Sequence, residues 1–223
     1  MRLLAEPIGL NITINNKLIT INQMETENKT SDRILSILLK EPFGKNTITS
    51  LAAALEITRQ GLWKAISKLE EEKLILVERI TNKKTSTALI QLNWHYPLTE
   101  KKLLFIITKE SLQYERWIDE FKALKDHSSF LILFGSILHS PKTANDIDLL
   151  SIVSKKEDFK AMDENIRRIQ ITQLKKIHFI DMTEEEFKTE LKRPNKAYLD
   201  ALKKGMVLHG YEQFIQFIKG ISS

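Results

Sequence analysis

Apolar positions along the front of the chain change period as they go. Leu10, Ile12 and Ile14, then Asn15 and Asn16, then Ile19 and Ile21 alternate with polar neighbours, which predicts a hairpin turning on the Asn pair. An alternative reading starts translation at Met24, leaving residues 1–28 as an extension that is either a hairpin or a misassigned start, with Glu25 to Lys29 a polar leader. From Ser31 to Lys40 the pattern becomes helical: Ile34, Leu35, Ile37, Leu38 and Leu39 follow the capping types Ser31 and Asp32 and stop before Pro42 and Gly44. A second helical pattern opens at Thr47 and runs through Leu51, Ala52 and Leu55. After a break at Glu56 and Ile57, a third runs from Thr58 to about Glu72, with Leu62, Ile66 and Leu69 on one core-facing stripe.

Helix, helix, tight turn, helix is the order of a helix-turn-helix. The other face of the third helix shows Arg59, Gln60, Lys64 and Lys68 with Trp63 between them, side chains able to reach phosphates and base edges in a major groove. A charged face of this kind also serves simply as a solvated surface. Leu74 to Glu78 and Ser86 to Leu92 read as strands around a basic tip that holds Lys83 and Lys84. Residues 29–97, and "LAAALEITRQGLWKAISKLEEEKLI" above all, resemble the winged helix-turn-helix domains of prokaryotic transcription regulators. The resemblance implies that the third helix reads double-stranded DNA, that Lys83 and Lys84 on the wing touch its backbone, and that the protein works as a homodimer on paired half-sites.

Pro97 and Thr99 mark a boundary, followed over residues 98–127 by a polar helical connector containing Leu112, Trp117, Ile118 and Phe121. Beyond it, Phe130 to Phe134, Leu149 to Val153 and Ile177 to Ile180 are apolar runs separated by helical or loop patterns. Such buried strands among helices predict a mixed sheet over residues 128–223 and an α+β chain as a whole.

Composition narrows the partners. The 223 residues suit two small units, and 42% hydrophobic with 28% charged residues lets each bury a core. A formal charge of +5 favours polyanionic partners without establishing them. The absence of cysteine excludes disulfides, zinc thiolates and cysteine nucleophiles, and fits a reducing cytoplasm. No apolar run reaches the roughly 18 residues of a membrane span, so a cytoplasmic protein without a membrane partner is expected.

The candidate chemistry lies in "FLILFGSILHSPKTANDIDLL", residues 130–150: an apolar strand, Gly135 and Ser136 at its exit, then Asp146 and Asp148 around Ile147. Gly135 allows close backbone approach to a phosphate, Ser136 offers a hydroxyl, and a helix starting there would aim amides at an anion. Residues two apart on a strand share a face, so Asp146 and Asp148 project together while Ile147 enters the core. Two carboxylates held together suit a hard cation such as Mg²⁺ with substrate phosphates, and a lone Asp-x-Asp is also common in ordinary loops.

This stretch resembles the polymerase-β-like nucleotidyltransferase superfamily, most closely its minimal, antitoxin-type members, whose signature is Gly-Ser followed by Asp-x-Asp. "EEEFKTEL" and "GMVLHGYEQFIQFI" look like the closing helices of that family and the short strand between them. The resemblance implies that Gly135 and Ser136 hold a triphosphate, and that Asp146 and Asp148 are catalytic and bind Mg²⁺ with ATP or another nucleoside triphosphate. It further implies transfer of a nucleoside monophosphate to a protein or to RNA such as tRNA.

Active members carry a third carboxylate on the next core strand, where "KKIHFIDMT" here places His178, with Asp181 three residues on. An imidazole there weakens both metal binding and activation of a nucleophile. Asp181 either substitutes by a loop that folds back or merely precedes a helix capped by Thr183 and Glu186. His139, His178 and His209 show no zinc-ligand spacing and are expected to have no catalytic role. Lys155, Lys156, Arg167, Arg168, Lys175 and Lys176 either attract a polyanionic acceptor or only solubilise the surface. Phe214, Phe217 and Ile218 recur at helical spacing as core. Two functions follow: a DNA-binding regulator with a nucleotide-binding or transferring domain, or a non-enzymatic regulator whose rear domain serves dimerisation or ligand sensing.

Overall fold

The computed structural model describes residues 11–14, 17–82, 85–193 and 196–222 and is of the mixed α+β class. Two compact units divide the chain, one of Met1–Leu35 with Lys45–Asn93, the other of Ser36–Gly44 with Trp94–Ser223.

The first unit opens with antiparallel strands β1 (Asn11–Ile14) and β2 (Lys17–Thr20), paired Ile12 to Ile19. The expected Asn15–Asn16 turn lies outside the described residues. Helix α1 (Ile21–Lys40) starts ten residues before the expected cap at Ser31. Glu25 to Lys29 is therefore helical and not a leader, because the segment has no Gly or Pro to stop a helix and its polar residues tolerate one. Ser31 is buried within the helix and does not cap it.

Helix α2 (Ile48–Leu55) begins where its sequence does. Thr47 Oγ1 accepts from the Ser50 amide at 3.1 Å, and Ser50 Oγ accepts from the Thr47 amide at 2.8 Å, a reciprocal cap. It ends at Glu56, whose φ of 56° reverses the chain. Two residues later Thr58 caps α3 (Arg59–Glu71) by accepting from the Gly61 amide at 3.2 Å. Leu62, Ile66 and Leu69 on α3 are fully buried, as their spacing predicts, with Ala65 beside them. Strands β3 (Ile75–Asn82) and β4 (Thr85–Leu92) form an antiparallel hairpin longer than the alternation suggested. Thr47 bridges to Leu89, and the Ile90 amide donates to the Asn46 carbonyl, adding a short third element to the hairpin edge.

In the second unit come α4 (Pro97–Ser111), α5 (Glu115–Glu120), β5 (Phe130–Phe134), β6 (Asp146–Val153), α6 (Asp158–Thr172), β7 (Lys176–Thr183), α7 (Glu184–Lys192), α8 (Lys196–Lys204), β8 (Met206–His209) and α9 (Tyr211–Ser222). The sheet order is β7-β6-β5-β8, with β6 and β7 parallel and the other pairs antiparallel. Helix α6 supplies the crossover that parallel neighbours require.

Both faces of this sheet are covered. On one, Leu131, Leu133, Ile147, Leu149 and Ile177 pack with Met162 and Ile166 of α6 and with Trp117, Phe121 and Leu124. The last three fall in the segment read as a connector, and they are core of this unit. On the other, Phe130 meets Phe214 and Phe217 of α9 at 5.5 Å between ring centres, and Phe187 of α7 stacks on Phe217 at 5.3 Å. Phe214, Phe217 and Ile218 are buried as expected, whereas α8 had no counterpart in the sequence reading. Among the described residues no helix is long and apolar enough to cross a membrane.

Candidate metal centre and candidate nucleic-acid interface

The sheet of the second unit gathers three ligand types at one end. Ile147 is fully buried, which turns Asp146 and Asp148 to the opposite face. Antiparallel pairing sets Phe134 opposite Asp148, so β5 delivers Gly135 and Ser136 beside that carboxylate. Parallel pairing on the other side sets His178 opposite Asp148 and Lys176 opposite Asp146. His178 Nδ1 consequently lies 3.3 Å from Asp146 Oδ2 and 3.3 Å from Asp148 Oδ1. One donor atom from each of the three side chains falls within 4.8 Å of the others, a group able to hold a metal ion. His178, expected to have no catalytic role, thus stands beside the two aspartates, because strand register brings together residues thirty or more apart in sequence.

Electrostatics marks the same place. Burial, then the neighbouring Asp146 charge, pushes the Asp148 carboxyl above the ordinary range, and the hydrogen bond and charge of His178 partly offset this. Gly135 has φ 81° and ψ −161°, and a Cβ on it would stand 2.1 Å from Asp148 Oδ2. The space that glycine leaves is thus filled by the aspartate itself. Ser136 is exposed and heads only a 3₁₀ turn through Leu138, so the expected helix start aimed at an anion does not form. Downstream, Lys175 donates to the Ala144 carbonyl and ties down the loop that enters β6, a contact sequence reasoning missed.

Asp181 does not join the group. Strand β7 continues to Thr183, and three residues from His178 is an odd step, so Asp181 turns to the α6 face of the sheet. Burial there, with Asp163 and Glu186 nearby, raises its carboxyl above the usual value, against a backbone hydrogen bond that lowers it. The cap expected after it is present: Thr183 Oγ1 accepts from the Glu186 amide at 3.3 Å, and Glu186 accepts from the Thr183 amide at 2.8 Å. His139 is exposed, and His209 is buried with Nε2 3.3 Å from Ser128 Oγ. Of the basic residues near the strands, Arg167 pairs with Asp163 at 2.8 Å and Arg168 reaches Glu164 at 4.0 Å, while Lys155, Lys156 and Lys176 are exposed.

In the first unit, the buried stripe of α3 leaves Gln60, Trp63 and Lys64 exposed away from it, Arg59 exposed at the helix start and Lys68 half-buried. Trp63 is 37% exposed, large for an indole that could have been packed away. Arg79 of β3 is engaged by Glu70 through two bonds of 2.9 and 3.1 Å. Lys83 and Lys84 lie outside the described residues. Compared with known proteins, the chain matches no family model, no curated protein and no solved structure.

Proposed function

We propose that the protein is a DNA-binding transcription regulator, with α3 as the recognition helix of a winged helix-turn-helix domain and the second unit as a nucleotidyltransferase-like domain that binds a metal–nucleotide complex. The observation that carries this reading is the division of α3. Leu62, Ala65, Ile66 and Leu69 anchor one side in the core, and Gln60, Trp63 and Lys64 are exposed away from it with Arg59 exposed at the capped start, after a left-handed turn and before an antiparallel hairpin. An anchored helix with a basic, amide-bearing and aromatic outer face fits major-groove readout, and a homodimer would place two such helices on paired half-sites.

The metal–nucleotide part is supported by Asp146 and Asp148 on one strand face beside Gly135 and Ser136. Mg²⁺ with ATP is what the family resemblance implies, with transfer of a nucleoside monophosphate to protein or RNA as the corresponding reaction. His178 favours a second reading, in which the domain senses a nucleotide and transfers nothing: opposite Asp148 stands an imidazole, and the family resemblance implies a third carboxylate on that strand as base.

A mobility shift on the gene's own upstream DNA tests the first part. Arg59→Ala and Lys64→Ala are each expected to weaken binding and to reduce the salt slope by about 0.9 per lost phosphate contact. Unchanged affinity in both would remove α3 from the interface. Labelled ATP, CTP, GTP and UTP with Mg²⁺ or Mn²⁺ separate the two readings of the second unit. Binding without transfer to RNA or protein supports the sensor, transfer supports the enzyme, and neither removes the nucleotide from the proposal. The double variant Asp146→Ala, Asp148→Ala should lose nucleotide binding and keep the DNA shift.

A further inference from the structure

We infer that Asp146, Asp148 and His178 form a centre for a divalent first-row transition-metal ion, from Mn²⁺ to Zn²⁺, in preference to Mg²⁺. This rests on the reading of the group as a metal centre and names the ion that it takes.

The donor set decides the chemistry. Two carboxylate oxygens and one imidazole nitrogen lie within 4.8 Å of one another on adjoining strands, all on one side of the sheet. Mg²⁺ is a hard cation that demands oxygen ligands and gives up water reluctantly, whereas imidazole suits the later divalent ions. A ring in place of a carboxylate also brings none of the negative charge on which Mg²⁺ binding depends most.

Distances agree with this assignment. Ligands about 2.1 Å from one ion stand about 3.0 Å apart at right angles and about 3.4 Å apart at tetrahedral angles. Nδ1 of His178 is 3.3 Å from an oxygen of each aspartate, between those values, and the three donor atoms lie within 4.8 Å of one another, so the two carboxylates close on an ion that the ring already reaches. The spacing does not depend on mobile loops. Asp148 and His178 are ladder partners in the parallel β6–β7 pair, and Ile147 and Ile177 anchor both strands in the core behind them. On the far side the missing side chain of Gly135 makes room for the Asp148 carboxylate. An ion bound here through Nδ1 leaves Nε2 as the N–H tautomer.

The test uses the full chain, stripped of metal, with Mn²⁺ as the probe. Titration followed by EPR measures affinity, competition with Mg²⁺ measures preference, and pulsed EPR detects coupling of the bound ion to ¹⁴N. Expected are one Mn²⁺ site that out-competes Mg²⁺, a ¹⁴N imidazole signal, and loss of the site in Asp148→Asn. His178→Ala should abolish the ¹⁴N signal and weaken Mn²⁺ at least about tenfold, since outer-shell changes alone cost roughly 10–100-fold. His178→Asp should abolish the signal and move the preference toward Mg²⁺. The ring is 45% exposed, so neither change threatens the core. Mn²⁺ bound in an Asp148-dependent manner but without ¹⁴N coupling, or with Mg²⁺ equally effective, overturns the assignment of the ion and leaves the metal centre standing. Absence of any Asp148-dependent site overturns both.

Discussion

Gly135→Ala is the most discriminating single change in the second unit, because two independent penalties meet there. The backbone at φ 81° and ψ −161° lies in a region essentially reserved for glycine, and holding another residue in it costs about 1–3 kcal/mol. Separately, the new Cβ would stand 2.1 Å from Asp148 Oδ2 and 3.1 Å from its Cγ. Moving the carboxylate off the new Cβ displaces Oδ1 from His178 Nδ1, 3.3 Å distant, which adds a lost hydrogen bond of about 1 kcal/mol. Urea unfolding followed by circular dichroism and tryptophan fluorescence measures the sum, and the same substitution in an Asp148→Ala background isolates the backbone part. The expected outcome is a loss of about 2–4 kcal/mol in the natural background, shrinking to about 1–3 kcal/mol when Asp148 is alanine. A loss below about 0.5 kcal/mol, the range of neutral surface changes, would refute the strained glycine. Equal losses in both backgrounds would refute the carboxylate contact.

His209 predicts an acid-sensitive core. Burial first, then the Lys125 charge, lowers its pKa from 6.5 to about 4. The folded state holds the neutral ring, so the full stability is present above about pH 6.5 and falls as pH drops toward 4, by up to about 3 kcal/mol. His209→Gln should flatten that part of the profile, and parallel pH profiles of the two proteins would contradict the assignment. Thr58→Ala removes the side-chain cap of α3 and should cost about 1 kcal/mol by urea unfolding. Under the proposed DNA-binding reading, weaker DNA binding should accompany that loss, since the capped end carries Arg59 and Gln60; a stability loss with unchanged DNA affinity would separate the cap from the proposed interface.

Short-range physics was legible along the chain. The stripe Leu62, Ile66, Leu69 marked the buried side of α3, Thr47, Thr58 and Thr183 marked helix starts, and the apolar run Phe130–Phe134 became β5 over those residues. Each depends on neighbours within a turn or two, so periodicity and cap chemistry suffice. The polar start of α1 was not legible, because nothing in Ile21–Thr30 advertises a buried face while nothing there forbids a helix. Likewise Trp117 and Phe121 looked like apolar residues in a polar connector until packing on the sheet, with Leu124, gave them neighbours.

At the candidate centre the division is sharper. The sequence by itself determined that Asp146 and Asp148 share a face, since a strand alternates regardless of what surrounds it. Only the tertiary structure decided what stands opposite them. The register of β7 against β6 is set by the α6 crossover and by burial of Ile147 and Ile177 behind the sheet, and a slip of one residue would have turned His178 away and brought in a neighbour. The same register sends Asp181 to the other face and leaves an imidazole, not a third carboxylate, between the two aspartates. Long-range pairing therefore selected the donor set, because the contacts that lock it join segments that local patterns cannot align.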